Sequence, residues 1–200
     1  MPFQSPTFLF LFLPLVLLGY YVVLPRSWRL GFLTVASYIF YGWWDYRFCG
    51  LMFLTTVVDY VAALGIHRAR SRTGRRAWLL VSVVSGLALI GFFKYYGLFA
   101  HTGNGIASWL HGGPVKLLPE LQLILPIGIS FYTFHSMSYA IDVYRGAVTP
   151  AKRFVNFACF VSLFTQLVAG PIIRYRDLAE QLVSRTHTLE KVAKGVAFLV

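Results

Sequence analysis

Negative charge is scarce in this 200-residue chain. Seven aspartates and glutamates stand against 18 lysines and arginines, and charged residues of both signs make up only 12%. A soluble domain carries roughly a quarter charged residues, so a surface facing water all round is excluded. Cysteine is nearly absent too. Cys49 and Cys159 give neither a disulfide framework nor metal-ligand spacing. Both border or enter apolar runs, where a small packing residue is the ordinary reading and a thioester-forming thiol the rarer one. No glycine-rich phosphate loop opens a helix, since the GNG at 103–105 precedes none of the needed kind, and no serine sits in a nucleophile elbow.

What is abundant is apolar: 58% hydrophobic residues, 18% aromatic, mean hydropathy +0.66. Several runs are long enough to cross about 30 Å of hydrocarbon. The first, 8–24, contains Pro14 and Gly19; it has no positive charge before it and no small-residue cleavage site after it, so it reads as a retained span rather than a signal peptide. The second, 30–44, runs into YGWWDYRF at 41–48, an interfacial aromatic belt. The third, 48–66, carries Asp59, a lone carboxylate whose default is pairing with another helix. The fourth, 78–99, has Lys94 near its outer end, where the stem can snorkel between Tyr95 and Tyr96.

The cations lie between these runs. Arg26 and Arg29, the HRARSRTGRR loop at 67–76, and Arg145, Lys152 and Arg153 alternate with spans, so the positive-inside rule places all three groups in the cytoplasm and Met1 outside. The Gly-rich, nearly neutral stretch 101–120 is expected as an outside loop. The formal charge of +11 is therefore a membrane-orientation signal, not a nucleic-acid footprint.

The stretch LPIGISFYTFHSMSYAIDVYRG, 125–146, organises the rest, as part of an inward-returning span over 121–141. Gly128, Tyr132, His135, Tyr139 and Asp142 recur at helical spacing as one polar face, with Phe134, Met137 and Ile141 on a greasy one. In lipid an unpaired polar group costs several kcal/mol, so the polar face turns toward other helices or a water-filled cavity. Pro126 and Gly128 permit a bent entry. Residues 154–170 are short for a crossing and end in FTQLVAGPIIRYRDL (164–178), where Gly170 and Pro171 break any helix before Arg174 and Arg176. That is either a re-entrant segment forming a pocket wall or an ordinary helix end followed by an interfacial helix. From Thr186 onward a capped start, with Thr186 or Thr188 as cap and Glu190 in the first turn, opens a further span that the sequence cuts short. The expected fold class is an all-α polytopic membrane helix bundle of five to six spans, plus the re-entrant candidate and the truncated last helix. The expectation is an N-terminal piece, 1–200, of one larger membrane domain.

FLFLPLVLLGYY, SYIFYGWWDYRF (37–48), FFKYYGLF, LPIGISFYTFHSMSYAIDVYRG and FTQLVAGPIIRYRDL, in this order and spacing, resemble the membrane-bound O-acyltransferase family, in its alginate O-acetyltransferase branch. One departure is Thr165, where the family typically reads proline. The resemblance implies an enzyme of the bacterial inner membrane. It would take an acyl group, usually acetyl, from a cytoplasmic donor such as acetyl-CoA or an acyl-phosphopantetheine carrier. It would deliver that group to hydroxyls of an extracytoplasmic polysaccharide, directly or through a partner protein of an acetylation complex. No bound cofactor or metal is implied. The family's catalytic histidine is expected beyond Val200, leaving this chain as funnel wall.

The histidines agree with that expectation. His67 is in the basic loop, His101, His111 and His187 are in loop or interfacial stretches, and only His135 sits at membrane depth. Asp142 is about 10 Å along the helix from it, too far to orient its ring. No histidine has aspartate five residues on, the spacing common in soluble acyltransferases: Lys116, Ala140 and Val192 occupy that position after His111, His135 and His187. The candidate wall or donor-side residues are Tyr132, His135, Asp142, Arg145, Gln166 and Arg174. Two other functions fit a membrane bundle with broken helices: a transporter half, although no second copy of GISFYTF or AGPI is present, and a non-catalytic scaffold of a polymer-synthesis complex.

Overall fold

The computed structural model describes residues 4–114, 116–119, 121, 123–167 and 173–178; the capped segment from Thr186 lies outside them, as do Gly170 and Pro171. Among the described residues the regular structure is entirely helical. Helix α1 is Phe8–Val23, with π-helical turns at both ends; α2 is Arg29–Asp45, α3 Arg47–Arg68, α4 Arg72–His111, α5 Ile129–Arg145, α6 Phe154–Ser162 and α7 Phe164–Leu167.

Two of these, α3 and α4, are long and apolar enough to cross a membrane by length and composition. Helices α2 and α5 have 17 residues each, just short of that measure. Large apolar side chains face outward along the helices, among them Phe10, Val22, Leu54, Val84 and Leu98. Such a surface is stable in lipid and costly in water.

Helices α2 and α3 meet in a tight turn. Arg47 donates to both carboxylate oxygens of Asp45, at 3.1 and 3.0 Å, and these bonds hold that carboxyl below its usual range. Between α3 and α4 the connection is short, and Ser71 caps α4 by accepting from the Gly74 N–H. The two helices approach closely because Gly65 has no Cβ: the Trp78 ring fills the place where one would project.

The core is α3 with α4 and α5 on one side and α2 with α6 on the other. Phe8 and Phe12 of α1, Phe40 of α2 and Phe164 of α7 form an aromatic knot, with edge contacts at 5.4–6.2 Å. Aromatic edges against faces are favoured over flat stacks, and rigid rings hold a helix crossing without much lost entropy.

Three expectations shift. Residues 101–111 are not a loop: α4 continues through them to a left-handed Gly112. Apolar Ile106, Trp109 and Leu110 keep the helical run going despite Gly103 and Gly105, and Asn104 ties the following chain to it by bonding both the carbonyl and the N–H of Leu118 at 2.9 Å. Helix α5 begins at Ile129 rather than Leu121, because Pro126 and a left-handed Gly128 (φ +74°) delay it. Met137 does not face outward; it is buried on the side of α5 that meets Gly86 of α4, whereas Phe134 is exposed as expected.

Candidate functional site

The polar face of α5 is buried. Tyr132 and Tyr139 are fully inaccessible, and His135 and Asp142 nearly so. What positions this face is a set of contacts at both ends of the helix. At the N-terminal end, Tyr41 of α2 donates to the Ile127 carbonyl at 3.0 Å, and its ring meets Tyr132 edge-on. A Cβ on Gly128 would stand 2.7 Å from the Leu167 carbonyl, so α5 starts directly against the backbone of α7. At the C-terminal end, Arg75 from the start of α4 donates to the Tyr144 carbonyl at 2.7 Å and lies over the Tyr144 ring. This satisfies a carbonyl the helix end leaves free. It also puts the basic ends of α4 and α5 on one side of the bundle.

Along the face, His135 Nε2 lies 2.7 Å from the Ile173 carbonyl. A carbonyl only accepts, so Nε2 carries a proton and donates. Its ring is fixed further by an edge contact with Phe160 at 4.6 Å. One turn on, Tyr139 stacks on Phe157 at 4.3 Å and accepts a 2.8 Å bond from the Ala151 N–H. Three buried polar groups have an atom with no hydrogen-bond partner among the described residues: the Thr133 hydroxyl, one oxygen of Asp142 and the Gln166 side-chain oxygen; the Tyr132 hydroxyl neighbours that of Tyr41, and the Tyr38 hydroxyl that of Thr56. Buried polar groups are normally satisfied, so the three call for a polar neighbour such as water.

A second element of the site is a helix broken at depth. Helix α6 stops after Ser162, Leu163 turns out of helical geometry, and α7 starts again at Phe164. The freed Phe164 N–H donates to the Ser37 hydroxyl of α2 at 3.2 Å. Ser37 lies about 12 Å along α2 from Arg29, well below the headgroup level. Non-helical backbone is tolerated there only against protein or a cavity, and Ser37 is fully buried. The sequence reading placed the break at Gly170 and Pro171, outside the described residues; the break the structure shows comes earlier, at a position with neither glycine nor proline.

The third polar element joins α3, α4 and α5. Ser82 donates to Asp59 at 2.5 Å, and the Ser136 hydroxyl faces the same carboxylate. Asp59, Ser82 and Ser136 lie about 14–15 Å from Arg68, Arg72 and Arg145 along their helices, so the three meet at one depth. The expected interhelical partner of Asp59 is therefore a hydroxyl, not a cation.

Of the candidate residues, Tyr132, His135, Asp142 and Gln166 gather on or beside the α5 face. Arg145 and Arg174 are exposed and stand apart from it. Sequence reasoning missed Tyr41, Ser37 and the Ile173 carbonyl. Tyr41 had been absorbed into an interfacial belt, and neither a serine within an apolar run nor a backbone oxygen leaves a signal in sequence. No group of His, Cys, Asp and Glu among the described residues could hold a metal ion.

A helical membrane protein with a buried polar wall and a helix interrupted at depth is the class this fold and site define. The chain is 45% identical over 98% of its length to the probable alginate O-acetylase AlgI of Azotobacter vinelandii. It is 43% identical over 98% to the protein of that name in Pseudomonas aeruginosa, and 30% identical over 92% to the peptidoglycan O-acetyltransferase of Helicobacter pylori. The chain belongs to the family of these bacterial O-acetylases, in the alginate O-acetylase branch. It spans only 38%, 37% and 39% of these three relatives' lengths. No protein-family model matches the chain, and no solved structure does.

Proposed function

We propose that this chain is the funnel-wall part of a membrane O-acetyltransferase that moves acetyl groups from a cytoplasmic donor to hydroxyls of an extracytoplasmic polysaccharide, in a complex with further proteins. The observation that carries this reading is the relationship to alginate and peptidoglycan O-acetylases along nearly the whole chain. The geometry supports a supporting role for these residues. His135 is held by a backbone carbonyl and packed among Phe131 and Phe160, with no carboxylate bonded to its ring among the described residues. General-base activation of an acceptor hydroxyl would then fall to a histidine beyond Val200. Gln166 and Asp142 offer unpaired polar atoms of the kind that a passage for donor or acceptor would need.

The orientation follows from charge. The basic ends of α4 and α5 meet through Arg75 and Tyr144; under the positive-inside rule that end faces the cytoplasm, which puts Met1 outside in a multi-pass protein of the inner membrane. Acetyl-CoA or an acyl-phosphopantetheine carrier would approach there. The test is to replace a histidine in an apolar segment downstream of Val200, in the full-length protein, with alanine and measure ester-linked acetate on the secreted polymer. Loss of ester with the protein still in the membrane is expected. The interrupted α6–α7 helix also favours a transporter, whose substrate sites use discontinuous helices; unchanged acetylation would leave that reading in place of the enzyme.

A further inference from the structure

A cavity of about 720 Å³ opens at the basic end of the bundle, between the segment leading into α2 and the segment leading into α6. Its walls divide by chemistry. Arg26, Lys152 and Arg153 supply cations; Trp28, Leu30, Val148 and Val155 supply an apolar side; Tyr175 and Asn156 complete it. No acidic residue is among its lining residues, and Arg26, Lys152 and Arg153 make no ion pair among the described residues. The nearest acid in sequence to Tyr175, Asp177, is paired with Arg176 at 3.2 Å. Tyr175 is only 5% exposed.

Two hydrogen bonds anchor the wall of this cavity at Ala151: its N–H donates to Tyr139 at 2.8 Å and its carbonyl accepts from Tyr60 at 3.2 Å. These bonds from α5 and α3 fix the loop that carries Lys152 and Arg153. The first turns of α2 and α6 also border the cavity, and neither helix has a side-chain cap or an acidic residue in its first turn. Their free N–H groups add to the positive field. Three cations line one cavity with no acidic residue among its lining, so its field favours an anion.

We infer that this cavity binds a phosphate ester, with Arg26, Lys152 and Arg153 on the phosphate oxygens and the Trp28 side against the apolar remainder of the ligand. The same chemistry is offered by an anionic phospholipid headgroup and by the phosphates of a soluble cofactor-like molecule. The inference does not rest on acetyl transfer and stands if that reading fails.

The test uses the full-length protein purified in detergent. Retention of phosphatidylglycerol against diacylglycerol is followed by native mass spectrometry, and binding of coenzyme A against pantetheine by calorimetry. In the variant R26Q/K152Q/R153Q, binding of whichever phosphate ligand is held falls roughly a hundredfold, about fivefold per lost cation. The variant R26K/R153K keeps most of the affinity. Loss confined to phosphatidylglycerol identifies a lipid headgroup; loss confined to coenzyme A identifies a soluble ligand. The inference is overturned if the wild type prefers neither phosphate ligand over its uncharged control, or if the triple variant binds as the wild type does. If the triple variant does not elute as a folded species, Lys152→Gln alone decides, with about a fivefold loss expected and no loss contradicting the site.

Discussion

Gly128→Ala measures the contact that seats α5 against α7. Gly128 has φ +74°, and a Cβ there would meet the Leu167 carbonyl at 2.7 Å; Gly146, at the other end of the same helix, has φ +75° and open space around the same position. The two glycines therefore share the backbone cost and differ in the steric one. Gly146→Ala should cost about 1–2 kcal/mol, the penalty of placing a Cβ in left-handed geometry. Gly128→Ala should cost that and a further 1–3 kcal/mol, roughly, for overpacking against a backbone oxygen that cannot swing away. The difference is read by equilibrium unfolding of the full-length protein in mixed detergent micelles, followed by tryptophan fluorescence. Equal losses from the two substitutions would refute the close approach of α7 to the start of α5, and with it the placement of the interrupted helix.

Other substitutions probe the remaining polar contacts. Tyr139→Phe keeps the stack on Phe157 but strands the buried Ala151 N–H, so unfolding should show a loss of about 1–3 kcal/mol, and hydrogen exchange at Ala151 should accelerate. Ser37→Ala leaves the Phe164 N–H without an acceptor, for a loss of about 1–3 kcal/mol; a neutral result would mean that water or another group serves that N–H. At the three-helix junction, Asp59→Asn preserves an acceptor for Ser82 and should shift stability by roughly 1 kcal/mol or less, whereas Asp59→Leu strands the Ser82 hydroxyl and should cost about 1–3 kcal/mol more than Asn. Identical effects from Asn and Leu would show that the Ser82 bond carries no weight.

The helices that read most clearly in the sequence are those whose signals are local. The boundaries of α2 and α3 fall within two residues of expectation, because charged residues flank continuous apolar runs on both sides. The buried face of α5 was legible for the same reason: Tyr132, His135, Tyr139 and Asp142 recur at helical spacing in an otherwise apolar stretch. Where tertiary contacts decide, the sequence was silent. Leu163 breaks a helix without glycine or proline because Ser37, far away in the chain, accepts the Phe164 N–H. His135 gains its partner from a backbone carbonyl, and backbone atoms carry no residue signature. The glycines of 101–111 suggested a loop, but a glycine costs a helix only about 1 kcal/mol, less than the apolar run around it returns. The cationic cavity was half visible: its arginines and lysine were read as topology signals, and only the folding of residues 24–31 beside 148–156 brings them onto one ligand-sized space.

The central proposal, that this chain belongs to a machine that acetylates a secreted glycan, is tested most directly in cells. The full-length reading frame is deleted and ester-linked acetate on the extracellular polysaccharide is quantified by NMR, with and without complementation. The account predicts that ester acetate disappears on deletion, returns with the wild-type gene, and does so while polymer yield stays unchanged. Polymer that is secreted with its ester content intact after deletion would contradict it.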